Sequence, residues 1–217
     1  MMWRVSSLIF VAAALGGPAA SLSDAAIIIA DFDSRSETDG DGPGPLNSNT
    51  ADLGVGPISA GRSFRTYLTF DLSGEDPAAD VSLDLFNIGN ENNTSALPQV
   101  FSLFTTTAWD GSAAPGPGGP EIATFSITPA VGGDNQDISF NSPALTSAYN
   151  AVQAVGGLLH LGIMSSEENA DARSFVFLGS REDVGIRPVL RTVGVPEPAS
   201  VLLAVAGIVC FALRTRV

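Results

Sequence analysis

Side chains able to do chemistry are sparse in this 217-residue chain, and their spacing limits what they can do. His160 is the only histidine and sits in Leu158-Leu159-His160-Leu161, the pattern of a strand interior. That setting favours a satisfied, partly buried imidazole over a catalytic base. One histidine cannot build a histidine-based metal site, and the sole cysteine, Cys210, lies in an apolar tail and is read as a small apolar side chain. No glycine-rich phosphate loop stands between a strand and a helix. Asp31, Asp33, Asp39 and Asp41 offer carboxylate oxygens in a Gly-rich stretch, a donor set that calcium accepts; the competing reading is a solvated acidic loop. Glu167 and Glu168 are adjacent, whereas glycoside hydrolysis needs two carboxyls facing across roughly 5–9 Å. Catalytic residues are therefore expected to be none. Trp109 and Tyr67 are the candidates for stacking on a sugar, Trp109 with a competing place in the core. Arg181, Glu182 and Arg187 read as a structural ion-pair network at a sheet end. Asn92 and Asn93 each satisfy N-x-[ST], which we attribute to chance.

The elements that must position these groups are mostly strands. Ile27–Ile29 reads as a buried strand, and the Asp-, Gly-, Pro- and Asn-rich stretch 34–56 as a long loop with little core content. In Arg65–Leu72 the alternation places Leu68, Phe70 and Leu72 inward and Tyr67, Thr69 and Asp71 outward. Val81, Leu83 and Leu85 repeat the pattern. Further strands are predicted over 99–107, 122–127, 138–140, 158–164, 174–178 and 188–193, with 113–120 as loop. One helix interrupts: Ser142 caps it, Pro143 suits its first turn, and Leu145, Tyr149, Val152 and Val155 share a face before Gly156-Gly157 ends it. The pattern predicts an all-β sandwich with one short helix.

The two ends read differently. One arginine, an apolar run over 8–15 and small residues make positions 1–25 a secretory signal helix, with cleavage after Ala20 or Ala25; an uncleaved anchor is the alternative. At the other end Ala199–Leu213 carries no charge, and fifteen helical residues reach about 22 Å, short of a ~30 Å hydrocarbon core. Arg214 and Arg216 behind this transmembrane-type helix favour the cytoplasmic side. Before it, Pro196 and Pro198 keep the backbone extended. The 26–193 domain between the ends has no disulfide. All ten basic residues are arginine, and the net charge of −13 argues against nucleic acid as partner and against docking on anionic lipid.

Val195-Pro196-Glu197-Pro198, the apolar helix and the arginine tail (positions 194–217) together resemble the PEP-CTERM sorting signal of exported Gram-negative bacterial proteins. The resemblance implies recognition by an exosortase-type processing enzyme near Pro-Glu-Pro, export through the Sec route, and a transient hold at the inner membrane before release to the cell surface or matrix. A permanent anchor without processing is the alternative. The middle resembles the DNRLRE-type domain through Arg65-x-Tyr67-x-x-Phe70-Asp71-Leu72-Ser73, Leu83-x-Leu85, Trp109, Ser180-Arg181-Glu182 and Arg187-Pro188-x-Leu190. That family implies a jelly-roll fold whose members include carbohydrate-binding modules. The sequence thus leads to two functions, a non-catalytic surface protein binding extracellular polysaccharide or a purely structural surface protein. A polysaccharide-degrading enzyme stands third. No cofactor is expected beyond structural calcium.

Overall fold

In a computed structural model, the structure describes residues 25–39, 43–47, 52–59, 61–88, 99–109, 114–127, 136–166 and 175–195. All of them belong to one compact unit, Ser23–Val195. The described residues form a mostly β, sandwich-like fold with one short helix and a large antiparallel sheet system. Strand β5 (Arg62–Asp71) is the hub of its first half. On one side it pairs with β2 (Phe32–Asp39) over eight residues, and β2 pairs in turn with β3 (Pro43–Asn47). On the other side it pairs with β10 (Leu158–Ser165) and with the end of β4 (Asp52–Ser59). β10 continues to β7 (Gln99–Thr106) and then to β8 (Pro117–Ile127).

The second half is built around β6 (Ala78–Asn87), flanked by β9 (Gln136–Asn141) and β12 (Val189–Gly194), with β1 (Ile27–Ile29) outside β12. β11 (Val176–Gly179) pairs with β6 at Asn87 and with β4, so β4 belongs to both halves and joins them. Leu68 and Phe70 of β5, Val81, Leu83 and Leu85 of β6, Leu161 and Ile163 of β10, and Leu178 and Leu190 all enter one shared core, each at most 3 % exposed. A buried leucine or phenylalanine contributes roughly 1.5–3 kcal/mol, so this shared face dominates the stability. Phe125 of β8 and Phe140 of β9 stack at 4.9 Å with an interplanar angle of 8°, closing the two halves at one side.

Helix α1 (Pro143–Gln153) starts as its sequence dictates: Ser142 Oγ accepts from Leu145 N at 3.0 Å. Leu145 and Tyr149 are buried against the core. Asn150 brackets both backbone groups of Ala78 at 2.9 and 2.8 Å, and Gln153 Nε2 donates to Glu75 O at 2.7 Å, tying the helix to the start of β6. Val155 does not share the buried face. The helix ends at Gln153, and Val155 lies in the following turn, 81 % exposed.

Two loop expectations are corrected. The 34–56 stretch contains most of β2, all of β3 and the first part of β4. β2 is mainly polar, with no apolar alternation to betray it; its backbone finds partners because β5 presents a long edge. Leu53 and Val55 of β4 are fully buried in the core. Likewise β8 begins at Pro117, inside the Pro- and Gly-rich run expected to be loop; a Cβ on Gly119 would collide with the Thr105 side chain, so glycine is what fits here. Among the described residues no helix is long and apolar enough to cross a membrane. The segments expected to form a signal helix and a C-terminal apolar helix lie outside the described residues.

Candidate functional site

A groove runs over the outer face of the β6 half. Along β6 the odd-numbered residues 81–85 face the core, so Asp84 and Phe86 face outward. Register places Ser139 and Asp137 of β9 beside them on one side and Val189 and Arg191 of β12 on the other. Ile27 of β1 and the 184–187 turn complete the groove, which encloses about 390 Å³. Asp84 organises its floor: Oδ1 accepts from Ser139 Oγ at 2.6 Å and Oδ2 is ion-paired with Arg191. Arg187 and Asp137 line the groove with no ion-pair partner among the described residues. The half-buried Phe86 ring supplies an apolar surface between donors and acceptors. The polar pairing here follows from cross-strand register, so no local motif could have revealed it.

The two aromatic candidates meet on the opposite side of the molecule, the outer face of the β5 half. Tyr67 does point outward from β5, as the alternation predicts, yet it is 0 % exposed. Trp109 covers it with ring centroids 6.3 Å apart, and Trp109 also meets Phe32 edge-on at 6.2 Å. The expectation of a solvent-facing Tyr67 is therefore corrected: a second aromatic layer sits on this face. Gly162, cross-strand to both Tyr67 and Phe104, makes room for it, since a Cβ there would lie 2.6 Å from Phe104 Cζ. Trp109 itself is half-buried. In the next row His160 Nδ1 and Thr69 Oγ1 are 2.9 Å apart, and burial pushes the His160 pKa down. This is the satisfied histidine that its apolar surroundings predict.

Of the predicted network, Arg181 and Glu182 are joined and Arg187 is not. Arg181 Nε lies 3.0 Å from Glu182 Oε1, and Ser180 Oγ donates to Glu182 Oε2 at 2.9 Å. Burial lifts the Glu182 carboxyl, but the bonds from Arg181 and Ser180 and the Arg181 charge outweigh it, leaving its pKa lowered. The Arg181 guanidinium sits 4.7 Å from the Phe32 centroid and donates to the Asp31 carbonyl. Arg187, without an ion pair among the described residues, lines the groove instead.

Asp33 is the group that sequence reading undervalued. It is 1 % exposed, pairs across to Leu68 and accepts from Arg181 N at 2.5 Å. Burial raises its pKa to about 6; the Arg181 amide opposes the shift, Glu182 adds to it, and the Arg181 charge opposes it. Its neighbour Asp31 is exposed, and among the described residues no group of three or more His, Cys, Asp or Glu side chains forms a metal cluster. The Asp39 side chain and Asp41 lie outside what is described, as do Asn92, Asn93, Glu167, Glu168, Pro196, Glu197, Pro198, Cys210, Arg214 and Arg216. Val195, the first residue of the proposed sorting motif, is described and 44 % exposed. Comparison of the chain with protein-family models and with curated proteins finds no match.

Proposed function

We propose that this chain is an exported, PEP-CTERM-sorted surface or matrix protein, whose jelly-roll-type sandwich binds extracellular polysaccharide without catalysis. The observation that carries the binding is the groove over β6, where an accessible Phe86 ring lies among Asp84, Asp137, Ser139, Arg187 and Arg191. A sugar ring offers an apolar C–H face and a rim of hydroxyls, so it needs an aromatic surface ringed by both donors and acceptors. Arg187 supplies donors and Asp137 acceptors that no ion-pair partner among the described residues consumes. Two antiparallel halves sharing β4 support the jelly-roll assignment. The terminal signals read from the sequence support the route: Sec export, a hold at the inner membrane through the apolar helix, and exosortase-type processing. Retention of the protein on immobilised polysaccharides, neutral and acidic, tests the proposal. Binding that drops about tenfold in Arg187→Ala and Asp137→Asn, with unchanged melting temperature, supports it, since each lost sugar hydrogen bond is worth up to that factor. No retention on any polysaccharide leaves the purely structural role.

A further inference from the structure

A separate set of observations lies under Trp109, on the face opposite the groove. Ser34 and Tyr67 are cross-strand neighbours on β2 and β5, and both are 0 % exposed. Ser34 Oγ, Tyr67 Oη, Thr106 Oγ1 and Trp109 Nε1 are all buried atoms without a hydrogen-bond partner among the described residues. Each orphaned polar group is costly, because it has given up water and received nothing in return. Of the eight such atoms among the described residues, these four belong to Tyr67, Trp109 and residues on the same outer face. All four are uncharged: three hydroxyls that donate and accept, and one indole N–H that only donates. The charged side chains nearby are engaged: Arg65, on the same face of β5 as Tyr67, has a partner, Asp33 turns to the opposite face of β2, and Arg181, over the Phe32 ring, is held by Glu182 and the Asp31 carbonyl. Hydroxyl partners beside aromatic walls, with no free charge, match an uncharged polyhydroxylated ring.

We infer that Ser34, Tyr67, Thr106 and Trp109 form a second binding site, selective for a neutral pyranose, which a sugar enters as Trp109 swings off Tyr67. The half-exposed Phe32 and Trp109 rings mark its mouth. Bound sugar hydroxyls would take the places that water takes around unpaired groups, and the sugar's C–H face would stack on the indole. This site does not depend on the groove over β6, and its ligand class differs, since the charged side chains around it, Arg65 and Arg181, are already engaged.

The chain provides its own reporter. Only two tryptophans are present, Trp3 and Trp109, so the full-length protein carrying Trp3→Phe emits from Trp109 alone. Detergent-solubilised protein is titrated with neutral gluco-, xylo- and manno-oligosaccharides and with oligogalacturonate, following Trp109 emission and melting temperature. Expected is a saturable emission change with a neutral sugar, and a weaker one with oligogalacturonate. Tyr67→Phe and Ser34→Ala should each lower that affinity about tenfold while leaving the ligand-free protein equally or more stable, because a buried unpaired hydroxyl has been removed. Arg187→Ala should leave the Trp109 response intact, which separates failure of this site from failure of the groove. Emission indifferent to every neutral sugar, as when water alone fills the space, overturns the inference. So does an equal response to oligogalacturonate, or unchanged affinity in Tyr67→Phe.

Discussion

Replacing Asp33 with asparagine tests whether a buried carboxylate destabilises this fold at neutral pH. Asp33 is 1 % exposed and, among the described residues, receives only the Arg181 amide and a distant guanidinium, Nε lying 3.9 Å from Oδ1. These partners undercompensate its lost hydration, so its pKa rises from the ordinary 3.8 to about 6. The folded state then holds the proton more tightly than the unfolded state. A raised carboxylate pKa therefore subtracts stability above about pH 6, and the loss is recovered as pH falls from 6 towards 3.8. At ~1.4 kcal/mol per tenfold change in proton affinity, the gap corresponds to about 3 kcal/mol. The asparagine side chain keeps the shape and can still accept from Arg181 N, but carries no charge to desolvate. Urea unfolding of both proteins from pH 4 to pH 8 measures the difference directly and cancels the titration of other acids, such as Asp71, which Ser73 holds low. The expected result is an Asp33→Asn variant about 1–3 kcal/mol more stable than wild type at pH 7 and close to it at pH 4. A variant less stable at pH 7, or a difference that does not change with pH, refutes the reasoning.

Gly162→Ala should cost about 1–3 kcal/mol in denaturant unfolding, because its Cβ would meet Phe104 Cζ at 2.6 Å and Thr106 Cγ2 at 2.9 Å in a packed layer. Ser142→Ala removes the cap on Leu145 N and the bond to Ile122 O at 3.2 Å, and should lower stability by about 1–2 kcal/mol with the fold retained by circular dichroism. Intact-mass measurement of protein from a host with exosortase-type processing should show mature chains lacking the Val201–Leu213 peptide; its retention would leave a permanent anchor.

Much of this protein was legible one residue at a time. Alternation in Val81-Ser82-Leu83-Asp84-Leu85 names its own inward face, because a strand has a period of two whatever it pairs with. Ser142-Pro143 followed by Leu145 and Tyr149 sets the helix start, since capping is a local bond between a side chain and the next backbone amides. β2 was illegible for the opposite reason. Phe-Asp-Ser-Arg-Ser-Glu-Thr-Asp becomes a strand only because β5 lends it hydrogen-bond partners.

The sites depend on tertiary structure in the same way. Nothing near Asp84 in sequence foretells Arg191, more than a hundred positions away, or the Ser139 that shares its carboxylate. Tyr67 reads as exposed until Trp109 arrives from the far side of β10 and covers it. Asp33 reads as a loop carboxylate until Arg181 closes over it. Periodicity states which way a side chain points, but burial and partnership depend on what other segments bring to that face, and only the folded chain decides that.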